Sequence, residues 1–311
     1  MTSSPKILGL SGFGLTVPDL DEARRFYTSF GLDSTQSAQG VFLRSPGRQH
    51  DEIAIFPGRE KRLSHLSFFI DPSTTEAFAE RVAREGIAVK DNPGRAGAAP
   101  GLWFQEPWGM WIHLNPMRPE PTAACPMQAE NTGTSQRRVN VHLWQEIDRK
   151  RAPLRIGHML MFTQEWEKVE KFYCDVLGFR TTDRANGKVA FMAAGDGVID
   201  HHCFGLINGT HRGLQHASFH VGGIDDIGFT AWKMREAGYK DGFGPGRHAV
   251  ASNLFHYTRD PWGSWIECYA DMDMIDDHWQ PREWKSLPYI WGPDWSPEFW
   301  ANDHNANLEP R

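Results

Sequence analysis

His158, His216 and Glu267 carry the chemistry that this sequence advertises most clearly. Two imidazoles and one carboxylate on different strands can hold one face of a divalent metal and leave the opposite positions open to a substrate and O2, as in non-haem Fe(II) oxygenases. A single histidine on a strand more often makes ordinary hydrogen bonds than binds a metal, so the three count only together. Glu267 is the strongest member. In SWIECYA, strand alternation puts it on the face of Trp265 and Tyr269, where an unpaired carboxylate would be costly and a metal would offset the cost. His202 in HHCFGLI, His248 in GPGRHAV and Tyr257 in FHYTRD accompany the triad. Such groups can take a proton from a hydroxyl, steady the resulting phenolate and return a proton to reduced oxygen. Singly they have plainer readings: His201 and His202 as surface residues, Tyr257 as a strand cap.

These residues sit in one copy of an internal repeat, a feature worth seeking before any local pattern. SHLSFFI at 64–70 matches QHASFHV at 215–221, PWGMWIH at 107–113 matches PWGSWIE at 261–267, and DEARRFYTSFGL matches EKVEKFYCDVLGF. The spacings Tyr27 to Tyr173, His65 to His216 and Gly109 to Gly263 are 146, 151 and 154 residues, growing in order as a duplication with small insertions would give. At the triad positions the first copy has Gly12 or Phe13, His65 and His113; opposite His202, His248 and Tyr257 it has about Asp51, Ala96 and Trp103. The first copy therefore reads as structural.

The second copy shows the elements that must position the site. GHMLMFT reads as a strand, 165–177 as a helix with Trp166, Val169, Phe172, Tyr173 and Val176 on one side, and the glycine of LGFR as its stop. Short strands follow in VAFMAAG, HCFGLI and HASFHV. A second helix spans 225–238, and NLFHYTRD and SWIECYA form a hairpin about DPWG. The expected class is α+β, with helices on one side of a mainly antiparallel sheet. The expected organisation is a non-catalytic module at 1–116, a linker at 117–153, a catalytic module at 154–273 and an extended tail at 274–311 holding Trp279, Trp284, Trp291, Trp295 and Trp300.

Composition narrows the classes. The chain has 311 residues, 40% of them hydrophobic, enough for one large core or two medium ones. A net charge of −6 without a dense basic run argues against a nucleic-acid partner. No apolar stretch approaches the ~20 residues that span a bilayer, and MTSSPKILGLSG lacks the apolar centre of a signal peptide. No membrane association is expected, and a cytoplasmic location is. Cys125, Cys174, Cys203 and Cys268 are widely spaced and read as reduced thiols. A homo-oligomer is expected.

GHMLMF, EKFYCDVLGF, LQHASFHV, GPGRHAV, NLFHYTRDPWG and WIECY resemble the type I extradiol ring-cleaving dioxygenases of the vicinal-oxygen-chelate superfamily. The likeness spans about 1–273 and extends loosely to YIWGPDWSPEFW in the tail. It implies paired βαβββ modules with Fe(II), less often Mn(II), in the C-terminal pair. His158, His216 and Glu267 would be the ligands, His202 the acid/base group near O2, and His248 and Tyr257 the partners of the substrate oxygens. One position departs. Where the homoprotocatechuate-cleaving branch has a carboxylate-binding arginine, this sequence has Phe243. That favours an alkyl- or hydroxyl-substituted monocyclic catechol, unless Arg212 or Arg282 supplies the charge.

The expected function is extradiol cleavage of an aromatic diol with O2, in aromatic degradation. Two alternatives stand beside it. A glyoxalase-type isomerase or epimerase would use the metal without O2, and a drug-binding resistance protein would use the tryptophans as stacking surfaces.

Overall fold

The computed structural model describes residues 5–122, 131–142, 153–285 and 289–300; Cys125 and about half of the expected linker lie outside the described residues. The first half contains β1 (Ile7–Val17), α1 (Leu20–Phe30), β2 (Asp33–Ser37), β3 (Gly40–Arg44) and β4 (Ile53–Pro57). It continues with β5 (Arg62–Ile70), α2 (Thr75–Arg84), β6 (Val89–Lys90), β7 (Leu102–Gln105) and β8 (Trp111–Asn115). The second half contains β9 (Arg155–Thr163), α3 (Trp166–Phe172), β10 (Arg180–Ala185), β11 (Val189–Ala193), β12 (Ile199–Asp200) and β13 (Phe204–Asn208). It continues with β14 (Gly213–His220), α4 (Ile224–Glu236), β15 (Gly242–His248), β16 (Leu254–Arg259) and β17 (Trp265–Ala270). Leaving out the short β12, each half is two βαβββ units. Met274–Ile275 (β18) pairs with β12, while Arg282–Trp284 (β19) and Tyr289–Trp291 (β20) extend the second sheet at its two edges.

The sheets run β2-β3-β4-β1-β5-β8-β7-β6 and β19-β10-β11-β13-β9-β14-β17-β16-β15-β20. Both are mixed and, as expected, mainly antiparallel: five of seven strand pairings in the first sheet and six of nine in the second are antiparallel. In each unit the last strand of the meander returns beside the first and runs parallel to it, giving the parallel pairs β1/β4, β5/β8, β9/β13 and β14/β17. The two units of each half then meet antiparallel through β1/β5 and β9/β14.

Of the two possible core arrangements, the chain uses a single large one. Ala23, Phe26, Tyr27 and Phe30 line one face of α1 at helical spacing, and Phe26 meets Tyr239 from the second half edge-on at 4.8 Å. Phe68 of β5 lies 5.1 Å from Phe179 and 5.6 Å from Phe204. These residues belong to one apolar cluster drawn from both halves. Two buried ion pairs, Lys61 with Asp260 and Arg212 with Glu106, also cross between halves. The predicted helix at 165–177 is α-helical only to Phe172; Tyr173–Leu177 follows with wider, π-type winding and ends at Gly178 in the left-handed conformation. Among the described residues no helix is long and apolar enough to cross a membrane.

Candidate active site

Alternation works in β17 as the sequence suggests. Ile266, Cys268 and Ala270 enter the shared core, while Trp265, Glu267 and Tyr269 face the concave side. Glu267 is fully buried. Its cross-strand partner in the β16/β17 hairpin is Tyr257, and β14 places Ser218 on its other side.

His216 reaches the same face through a device that strand periodicity hides. The register of β9 against β14 slips between Leu214 and His216, so Gln215 is an extra residue and the alternation restarts there. Leu214 consequently enters the core and His216 the cavity. The first copy has the same slip beside His65. His158 stands on β9 opposite Ser218. The preceding Gly157 is required by packing, because a Cβ there would lie 2.0 Å from the Tyr269 hydroxyl. The Tyr269 ring lies 4.9 Å from His158, and its hydroxyl donates to Asp200, which Arg155 pairs.

His158, His216 and Glu267 each offer one donor atom, and these atoms lie within 4.8 Å of one another. His158 Nε2 is 3.0 Å and His216 Nε2 3.7 Å from Glu267 Oε2. The Ser218 hydroxyl donates to the same oxygen, and Asn253 Nδ2 lies 3.4 Å from the other. A metal fits this set on two observations. His216 Nδ1 is engaged by the Gln215 amide oxygen, which can only accept, so Nδ1 carries the proton and Nε2 the lone pair. That Nε2 is buried without a hydrogen-bond partner among the described residues. Burial pushes the His216 pKa down to about 3 despite Glu267, leaving the ring neutral as a ligand must be. Burial alone would raise the Glu267 pKa, but hydrogen bonding with His158 and His248 outweighs it and holds the carboxyl well below its usual range.

The three accompanying residues converge here too. His202 lies 4.6 Å from His158, ring to ring, and is buried, as is His201, so the surface reading of this pair fails. Burial, joined by the imidazoles of His158, His201, His216 and His248, pushes the His202 pKa well below the ordinary value. His248 Nε2 lies 3.1 Å from the Tyr257 hydroxyl and 3.5 Å from Glu267 Oε1. Burial and the Glu267 carboxylate raise the Tyr257 pKa, so it is a neutral phenol able to donate.

The cavity over these groups, together with the solvent space open at its mouth, has about 550 Å³ not filled by protein atoms. Its further walls include Leu160, Val189, Phe191, Ile207, Val250 and Trp295, with no lysine or arginine among the described lining residues. Phe243 is not on this wall. It stacks behind Tyr257 at 4.9 Å, packed against Trp265, because β15 turns it into an aromatic cluster. Arg212 is held by Glu106 and Thr163, and exposed Arg282 bonds Asp183 only through its backbone N–H.

Sequence reasoning missed Phe299. It is 3% exposed, its carbonyl accepts from Gln215 Nε2 at 3.0 Å, and its ring lies 4.9 Å from Tyr257. The tail tryptophans drew notice away from it. The tail itself divides: Trp295, Phe299 and Trp300 border the cavity, whereas Trp279 and Trp284 pack behind His201 and Asp183. Pro297–Trp300 forms a single 3-10 turn, so the tail is not extended throughout.

Pairing also settles the first copy. Ser67 faces both Gly12 and His113 as Ser218 faces both His158 and Glu267, so Gly12, rather than Phe13, is the counterpart of His158. Trp103 stands opposite His113 as Tyr257 stands opposite Glu267. His113 Nε2 donates to the Pro100 carbonyl at 3.1 Å and Nδ1 accepts from the Ser67 hydroxyl at 2.7 Å, leaving no lone pair for a metal.

The family model of the Glyoxalase/Bleomycin resistance protein/Dioxygenase superfamily matches residues 9–114 and 155–268, and the chain belongs to that superfamily. The matched spans are the two copies of the repeat. The chain is 33% identical over 300 residues to metapyrocatechase 2 of Cupriavidus necator, covering 94% of this chain and 91% of that protein. It is 26% identical over 304 residues to the manganese-dependent 2,3-dihydroxybiphenyl 1,2-dioxygenase of Geobacillus genomosp. 3, covering 91% and 93%. Its fold matches the anaerobic substrate complex of homoprotocatechuate 2,3-dioxygenase from Brevibacterium fuscum with a TM-score of 0.78 at 21% identity, over 99% of this chain and 97% of that one.

Proposed function

We propose that this chain is an extradiol dioxygenase. It opens a catechol-type ring beside, rather than between, its two hydroxyl-bearing carbons and adds both atoms of O2. The observation that carries this reading is the meeting of two sets of groups on one cavity. His158, His216 and Glu267 are set to hold a metal, while His202, His248 and Tyr257 are set to handle protons beside it. The relatives' names agree with this chemistry.

Fe(II), or Mn(II) as in the Geobacillus relative's name, would be held by His158, His216 and Glu267 and would supply Lewis acidity toward the diol and a route for electrons from ring to O2. Neutral His202 can take a proton from a substrate hydroxyl and later return it to a product oxygen. Tyr257 donates a hydrogen bond to an ionised substrate oxygen, and His248, 3.1 Å from its hydroxyl, fixes the direction of that bond. The aliphatic and aromatic walls accept the ring and exclude water. With no cation on the described wall, a diol bearing alkyl or hydroxyl groups suits the cavity better than one bearing a carboxylate.

Anaerobic reconstitution with Fe(II) or Mn(II), followed by O2 electrode and absorbance measurements on catechol, alkylcatechols, dihydroxybiphenyl and trihydroxybenzenes, tests the reading. The expected result is one O2 consumed per diol with a yellow ring-opened product. Metal binding without O2 uptake on any diol would transfer the chain to the isomerase class.

A further inference from the structure

His202 presents its cavity to one side only. On the other, its Nδ1 lies 3.0 Å from His201 Nδ1, and His201 Nε2 lies 3.2 Å from Asp183 Oδ2. His201 is 0% and Asp183 1% exposed. Asp183 also accepts the Arg282 backbone N–H and the Trp284 indole N–H, each at 2.8 Å. Trp279 closes over the His201 ring edge-on at 5.1 Å and is anchored by its own N–H to the Thr182 carbonyl. The whole array lies in β10, the segment before β13, and the part of the tail around β19.

Hydrogen-bond accounting fixes the protons in this array. Burial would raise the Asp183 pKa, but the bonds from His201, Trp284 and the Arg282 amide outweigh it, so the group is a carboxylate that only accepts. His201 Nε2 must therefore carry a hydrogen. With His201 a neutral imidazole carrying that single N–H, its Nδ1 is an acceptor, and the proton between the two Nδ1 atoms belongs to His202. His202 is left with a bare lone pair on Nε2. In the opposite tautomer Nε2 would already bear a hydrogen and could not take one from a substrate hydroxyl.

We propose that Asp183 and His201 are positioning residues that hold His202 in its Nδ1–H tautomer, and that the tail segment through Trp284 is part of the device. A buried carboxylate–imidazole pair is costly to assemble, and a pair of apolar residues would pack this space without that cost; in hydrolytic triads a buried carboxylate orients a proton-handling imidazole directly, and here the carboxylate reaches His202 through His201. The consequence for turnover rests on the ring-cleavage reading, whereas the tautomer does not.

The test therefore begins with metal-free protein. Nitrogen-15 spectra of the imidazoles, assigned with His201→Gln and His202→Phe, should show His202 pyrrole-like at Nδ1 and pyridine-like at Nε2, with that assignment reversed or mixed in Asp183→Asn. In the metal-loaded enzyme, Asp183→Asn and His201→Phe should lower kcat roughly 10–100-fold, as loss of an orienting partner does, with KM for the diol and metal content unchanged. His201→Gln keeps an N–H toward Asp183 and an oxygen toward His202, and should restore most of the rate. Placed in a His202→Phe background, His201→Phe should change kcat less than about two-fold. A proton on His202 Nε2 in the wild type, or the same loss from His201→Phe with and without His202, would overturn the proposal. The stated tautomer in a protein that consumes no O2 would sink the ring-cleavage reading alone.

Discussion

Replacing His113 with alanine separates the two copies of the repeat most sharply, because His113 occupies the register position that Glu267 holds in the second. Its ring makes two hydrogen bonds, to the Ser67 hydroxyl and the Pro100 carbonyl, and stacks on Trp103 at 4.4 Å with an interplanar angle of 18°. Each hydrogen bond contributes about 1 kcal/mol, and the stack about 1 kcal/mol beyond burial. A cavity and two newly unpaired polar groups bring the expected destabilisation to about 3–4 kcal/mol. That lies below the roughly 5–15 kcal/mol stability of a typical folded protein, so the variant should still fold. Denaturant titration of the metal-free protein measures the stability loss. Elemental analysis and O2 uptake measure the site, where we expect one metal per chain and wild-type kcat, and the same for His65→Ala. A folded His113→Ala protein without metal or turnover, or a wild type holding two metals per chain, would refute the division between a structural and a catalytic half.

Glu267→Gln should lose most of its metal and essentially all turnover, since a neutral amide replaces the triad's only anion; elemental analysis of the purified variant checks this. His202→Phe should keep its metal and bind diol anaerobically while kcat falls roughly 10²–10⁴-fold, and loss of metal instead would make its role structural. Phe299→Ala should raise KM more than it lowers kcat, because the ring walls the cavity while its backbone carbonyl still serves Gln215; steady-state kinetics separates the two. The metal-free protein should lose stability as pH falls from about 6.5 toward 4. Burial depresses the His113 pKa to about 4 and that of His216 to about 3. At pH 5 the unfolded imidazoles are protonated and the folded ones are not, a penalty of about 2 kcal/mol each. Unchanged denaturation midpoints between pH 7 and 5 would contradict these shifts.

The two copies and the cavity-facing positions of β17 were legible because both follow from periodicity: the duplication repeats whole units in order, and alternation assigns faces. Glu267 is the clearest case, a carboxylate in phase with two aromatics. The Gln215 bulge was not legible. Plain alternation puts Leu214 on the same face as His216, and only the slipped register against β9 separates them. Nor was the Asp183–His201 pair, whose members are 18 residues apart in sequence and joined only when β10 and β13 flank β11 in the sheet. Phe243 shows the limit of alignment by motif. The position corresponded to a substrate-facing one in a resembling branch, but the ring is drawn into aromatic packing behind Tyr257. The π-type turn after Phe172 kept the apolar spacing of a helix, so the pattern carried no sign of it.

The close approach at Gly12 gives the first half a one-way character. A Cβ at this position would lie 2.2 Å from the Glu52 carbonyl oxygen, so no histidine can be installed there without moving the backbone of the neighbouring segment. That segment is not free to move. Glu52 is fully buried; its Oε2 accepts from the Ser45 backbone N–H at 2.7 Å, and its Oε1 accepts from the Ile156 backbone N–H at 2.8 Å, two residues before His158. A second metal centre could therefore not be recovered by a single substitution, and attempts to build one would loosen the strand that carries His158. The first half, in which no cluster of metal-ligating groups occurs among the described residues, thus acts as the anvil on which the second is set, and Gly12 and Glu52 leave little room for substitution in it.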